Sequence, residues 1–168
     1  MKKAAVVVGL LMVWLVVNPG LRSQDKDRAE LAKAVAAAKV SLEQGLSTSA
    51  HEGKPISAKF EIEDGKLQLS VYTAKGDKFS EVVVDHNTGK AAKTEPITSG
   101  EDLAAAKTQS EAMSKAKQSL SGALARVLKG NPGFRAVSIF PMLKDGHPIG
   151  EVTLTKGDEW KTASEKLD

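Results

Sequence analysis

The feature that most constrains this chain is a pattern that occurs twice. Gly65 and Gly146 stand 81 positions apart, as do Gly76 and Gly157. At the same offset Ser57 matches Ser138, Asp64 matches Asp145, Val71 matches Val152, Lys75-Gly76-Asp77 matches Lys156-Gly157-Asp158, and Phe79 falls on Trp160. No gap is needed across this stretch. A period of that length with shared turn positions predicts two copies of one supersecondary unit, each leaning on its neighbour to complete a core.

Each copy is expected to open with a helix. In the first, Leu31, Val35, Ala38 and Leu42 recur at the spacing of one helical face, Asp27 and Glu30 fit N-cap and N3, and Gly45 is the expected stop. In the second, Thr98 and Glu101 form a capping-box pattern. Met113, Ala116, Leu120, Leu124 and Val127 carry the apolar stripe, and Gly130-Asn131-Pro132-Gly133 ends it.

After each helix the period becomes two. Ala58, Phe60 and Ile62 alternate with Lys59, Glu61 and Glu63, Asp64-Gly65 turns the chain, and Leu67, Leu69, Val71 and Thr73 alternate with polar neighbours. A turn at Lys75-Gly76-Asp77 leads into a strand from Phe79 to Asp85. Phe134 to Leu143, Ile149 to Thr155 and Trp160 to Ala163 take the same places in the second copy, where Pro141 and Pro148 suggest edges or bulges. The fold class is therefore α+β: two units in tandem, each a helix plus an antiparallel three-stranded meander. The expected division is 1–23, a targeting segment; 24–93, the first unit; 94–100, a linker rich in Thr, Pro, Ser and Gly; and 101–168, the second unit.

The run Glu81-Val82-Val83-Val84-Asp85-His86-Asn87-Thr88-Gly89-Lys90, following a helix and a strand pair, resembles the last strand of a PepSY domain. Asp85, Thr88 and Gly89 carry the resemblance, which spans about residues 29–93 and reaches the second copy only through the internal repeat. It implies an exported module of cystatin-like or propeptide-like fold, of a family thought to inhibit or regulate peptidases. Nothing in that motif is catalytic; Asp85, Thr88 and Gly89 read as strand end and turn.

The N-terminus supports export. Lys2 and Lys3 precede an apolar run from Ala4 to Val17, which breaks at Asn18, Pro19 and Gly20, the layout of a secretory signal. Stretched to Leu21, the run would span roughly 27 Å at about 1.5 Å per residue, just short of a hydrocarbon core of about 30 Å. Both a cleaved signal and an uncleaved anchor fit. The expected compartment is extracytoplasmic, either periplasmic or secreted, with any membrane contact through this segment. It holds three of the 24 basic residues (Lys2, Lys3, Arg22) and none of the 21 acidic ones, so residues 24–168 carry 21 of each sign. That balance excludes the basic excess of a nucleic-acid binder. With no cysteine, neither disulfides nor Cys lipidation are available.

Catalytic and metal chemistry find little support. His51, His86 and His147 are the only histidines and lack ligand spacing. No G-x-S-x-G elbow occurs, although a pair of carboxylates from separate strands would leave no trace in sequence. The Lys-Gly-Asp tripeptides read as hairpin turns. Neither cofactor nor enzymatic activity is expected. Tyr72, Phe79 and Trp160 are the candidate partner-binding residues. Tyr72 has the opposite parity to Leu69 and Val71, which puts it on the second sheet face, either free for a partner or packed between the two copies. The expected function is an exported non-catalytic module that binds and restrains a protein partner, such as an envelope or secreted peptidase; the alternative is a structural or sensory envelope scaffold tethered by an uncleaved N-terminal helix.

Overall fold

The computed structural model describes the backbone of residues 19–168 and the side chains from Gln24 onward. The targeting segment expected over residues 1–23 falls outside the described residues except for the backbone of 19–23, which belongs to the first helix. Among the described residues no helix is long and apolar enough to cross a membrane.

Two helices, not one, open each half. In the first they are α1 (Pro19–Ala37) and α2 (Leu42–Ser49); in the second, α3 (Gly100–Lys115) and α4 (Leu120–Lys129). The apolar stripe runs across both members of each pair, which is why periodicity alone merged them. The break has a local cause. The N–H groups of Lys39 and Val40 both donate to the His86 carbonyl, at 3.0 and 3.1 Å, and Ser41 then caps α2 in a reciprocal capping box with Gln44. In the second half Lys117 and Gln118 donate to the Leu167 carbonyl, at 2.7 and 3.0 Å, and Ser119 caps α4 through the Gly122 N–H. Asp27 and Glu30 therefore lie inside α1, and Gly45 inside α2. The cap of α3 is Ser99, in place of Thr98, with no side-chain hydrogen bond. Gly130 ends α4 as expected.

Among the described residues there are seven strands, six of them on the period-two segments: β1 (Lys54–Glu63), β2 (Lys66–Lys75), β3 (Lys78–Val84), β4 (Ala91–Ile97), β5 (Arg135–Lys144), β6 (His147–Lys156) and β7 (Glu159–Lys166), β4 being the addition. They form one antiparallel sheet in the order β4-β3-β2-β1-β5-β6-β7. The linker expected over 94–100 is thus largely strand: β4 pairs with β3 from Ala91 to Ile97, and Pro96 is tolerated because β4 lies at the sheet edge. Pro141 and Pro148 do not mark edges. Both lie on interior strands, Pro141 beyond the end of the β1–β5 pairing and Pro148 at the start of β6.

The repeat is visible in backbone detail. Asp64-Gly65 and Asp145-Gly146 both have positive φ at both positions (48° and 71°, 52° and 81°), the two-residue hairpin geometry that Asp-Gly favours. The β1 register shift between Pro55 and Ser57 recurs in β5 between Ala136 and Ser138. The halves join where Ala58 of β1 faces Ile139 of β5, which are equivalent residues of the repeat.

One expectation on layering is corrected: each helix pair divides between the two sheet faces. α2 and α4 cover the face of Leu69, Val71, Val152 and Leu154, and Leu42, Leu46, Leu120 and Leu124 complete a core in which all eight side chains are at most 2% exposed. α3 crosses the opposite face, where Tyr72 and Ser57 bond to Asp102 and Gln109. α1 passes over the same face further along. There Arg135 donates to the Ala36 and Val40 carbonyls, and the Arg28 guanidinium lies 5.4 Å from the Trp160 ring centre.

Candidate functional site

The alternation that buries Ala58, Phe60, Leu69 and Val71 on one face sends their polar neighbours to the other. Register aligns them in rows: Tyr72, Glu81 and Glu95 across β2, β3 and β4, with Lys59, Ser70, Val83 and Lys93 beside them and Glu61 opposite Gln68. The Asp64 hairpin and Asp102 of α3 complete a groove of about 490 Å³ in the first half. Its charged lining is Glu61, Glu63, Asp64, Glu81, Glu95 and Asp102 against Lys59 and Lys93.

A hydrogen-bonded floor fixes the groove. The Ser70 hydroxyl donates to Glu61 Oε1 at 3.1 Å and accepts from the Gln68 amide at 2.9 Å. Lys59 pairs with Glu61 at 2.6 Å and Lys93 with Glu95 at 2.7 Å. Glu63, Asp64, Glu81 and Asp102 form no ion pair among the described residues. The Tyr72 hydroxyl donates to Asp102 Oδ1 at 2.7 Å. Burial first, then that bond and the neighbouring carboxylates, hold the phenol well above its usual range, so Tyr72 remains a donor. A rigid floor carrying unpaired carboxylates suits a cationic segment of a ligand or partner.

The aromatics singled out in the sequence are not gathered into one surface. Tyr72 and Phe79 lie on one face of adjacent strands, but each is only 8% exposed and belongs to the core cluster. Phe79 lines none of the grooves described, whereas Tyr72 lines the acidic groove. Trp160, at the far edge of the sheet on β7, is half-buried.

Asp85, Thr88 and Gly89 form a turn. Asp85 Oδ1 accepts from the Asn87 and Thr88 N–H groups at 2.8 and 2.9 Å, Gly89 N–H donates to the Asp85 carbonyl, and the Thr48 hydroxyl donates to the Gly89 carbonyl. The two backbone donors hold the Asp85 carboxyl below its ordinary value. The turn sends β3 into β4 and ties the end of α2 to the sheet. Gly76 and Gly157, with φ of 61° and 59°, likewise place the Lys-Gly-Asp tripeptides at hairpin tips.

A second cavity, of about 460 Å³, brings Ser164, His147 and Asp168 to one wall. His147 Nδ1 is 2.7 Å from Asp168 Oδ2, and that contact lowers the Asp168 carboxyl. Register separates the serine from this pair. Ser164 faces Glu151, four residues along β6 from His147, or roughly 13 Å at about 3.3 Å per residue, too far for a nucleophile–base hydrogen bond. Among the described residues no group of three or more metal-ligating side chains is assembled.

The sequence reading missed Gln68, Glu81, Glu95 and Asp102. Parity could have found the first two, since they share a face with Tyr72. Glu95 required recognising β4, and Asp102 required knowing that α3 crosses the second face.

No known protein family and no curated protein matches the chain. Among solved structures, the crystal structure of a candidate lipoprotein from Clostridium difficile 630 is similar, with 16% identity and a TM-score of 0.33, covering 70% of this chain and 86% of that one. At that distance the similarity defines neither a family nor a compartment.

Proposed function

We propose that this protein is an exported, non-catalytic binding module that captures a protein partner through the acidic groove of its first half and restrains it, the partner being an envelope or secreted peptidase. The observation that carries the reading is the groove itself: unpaired carboxylates on a sheet face, held by a hydrogen-bonded floor. The partner supplies a basic segment, and occupation of the groove blocks that segment without turnover. The charged n-region and apolar run at the N-terminus support export, and the resemblance of Asp85, Thr88 and Gly89 to the PepSY motif supports a peptidase as partner.

The test is inhibition. Wild-type protein titrated against envelope peptidases should inhibit one stoichiometrically, with an affinity that falls as salt rises. Reversing two groove charges, Glu81→Lys with Glu95→Lys, should weaken the inhibition at least tenfold while changing stability by no more than about 0.5 kcal/mol. Absence of inhibition and of capture by the wild-type protein sinks the reading; inhibition indifferent to the charge reversal moves the site elsewhere.

A further inference from the structure

The sheet has two edges, and they are built differently. On β4, Pro96 removes a donor, a Lys93–Glu95 pair spans the exposed strand, and the pairing with β3 shifts register. These are devices that blunt an edge against pairing with another chain. β7 has neither the proline nor the shift, although charged residues line it as well. It pairs with β6 at every residue from Glu159 to Lys166 without a shift, contains neither Pro nor Gly, and among the described residues its other side is unpaired.

We propose that a second copy of this chain docks on the free edge of β7, strand against strand about a two-fold axis at Ala163, making one continuous sheet across two molecules. The inference goes beyond the partner-binding reading and does not depend on it. Self-complementarity carries it. In an antiparallel pairing centred on Ala163, Lys161 faces Glu165, Trp160 faces Lys166 and Thr162 faces Ser164, each contact occurring twice by symmetry. Within each pair the two residues share a face, as the pleat requires. Sliding by two residues, the smallest shift that keeps the faces, sets Glu159 against Glu165 twice in one direction. In the other direction it breaks both Lys–Glu pairs. The fold already contains one joint of this kind, since β1 and β5 meet antiparallel about the equivalent residues Ala58 and Ile139. Glu165 is held in place by Arg126 at 2.6 Å, so the acid facing the partner copy's Lys161 is positioned before association.

The chain lacks cysteine, so single introduced cysteines report on register cleanly. Full-length protein in detergent should sediment as a dimer after correction for bound detergent. Ala163→Cys should form a disulfide-linked dimer on mild oxidation. Thr162→Cys, whose symmetry mate lies on the diagonal, should cross-link much less. Thr162→Pro, which removes a ladder donor, should raise the dimer dissociation constant by roughly 100-fold. Should that variant fail to fold by circular dichroism, Thr162→Lys with Ser164→Lys serves in its place, setting exposed lysines against each other twice. A monomeric wild type overturns the proposal. So does a dimer that survives the edge variants, or one in which Thr162→Cys cross-links as well as Ala163→Cys.

Discussion

The two halves share a backbone plan and differ in what they put on it. On the face that carries Tyr72, the first half presents Lys59, Glu61 and Gln68; the equivalent residues of the second half are Phe140, Met142 and Ile149, half-buried and on strands against which α3 packs. The core is traded as well. Where the first half sets Gly45 of α2 against Leu69 of β2, the second sets the buried Ala123 of α4 at the place of Gly45 and Gly150 of β6 at the place of Leu69. The space beside Gly150 is filled by Ile139 and Leu167, while the layers stay in place. The shared plan lies in turns, bulges and helix breaks. The side chains on each face are free to specialise, toward a charged groove in one half and toward packing and an open edge in the other.

The largest effect should come from positions the halves hold in common. Leu46 and Leu124 occupy equivalent sites on α2 and α4 and are 1% and 0% exposed. Replacing either by Ala should cost about 2–5 kcal/mol in urea unfolding, and the two costs should agree to within about 1 kcal/mol. A large disparity would break the equivalence.

The traded positions should respond unequally. A Cβ at Gly45 would come within 2.8 Å of the Leu69 side chain, which is fully buried, so Gly45→Ala should destabilise by about 1–3 kcal/mol. At Gly150 the nearest atom to an added Cβ is 3.6 Å away, an ordinary contact, and Gly150→Ala should be neutral or stabilise by up to about 1 kcal/mol. Equal responses would deny the trade.

Smaller effects belong to features of the first half alone. Tyr72→Phe removes the bond to Asp102 and should cost about 1 kcal/mol, with Asp102→Asn largely preserving the fold. The Asp85 turn should yield the smallest change, visible as pH dependence. Because the folded carboxyl is held below its ordinary value, its contribution is complete above that value, 3.8, and is lost as pH falls through the lower folded value. Wild type should therefore lose a small stability increment on acidification below about pH 4 that Asp85→Ala lacks, measured as the difference between their melting curves.

Much of the fold was legible because two-residue periodicity and Asp-Gly turns are local signals. Six of the seven described strands, and the turns at Asp64-Gly65, Lys75-Gly76-Asp77, Asp145-Gly146 and Lys156-Gly157-Asp158, follow from such signals. The helix breaks were not legible: the stripe through Val35, Ala38 and Leu42 continues across the bend, and what stops α1 is the distant His86 carbonyl. The Ser41–Gln44 capping box stands in the sequence but was not read, because the stripe runs through it. β4 was hidden because Pro96 and its Thr-rich surroundings have the composition of a linker, and only pairing with β3 makes them a strand. Half of the groove was written in the alternation of β1 and β2, and the rest depends on which helix crosses which face.

The halves share one core and not merely one chain. Native-state hydrogen exchange tests it directly, through the amides of Leu69 to Val71 in β2 and of Val152 to Leu154 in β6, which lie in the two halves of one buried cluster. Both sets should open with the same free energy, that of global unfolding. Opening energies that differ by more than about 2 kcal/mol would show two independent domains and contradict a shared core.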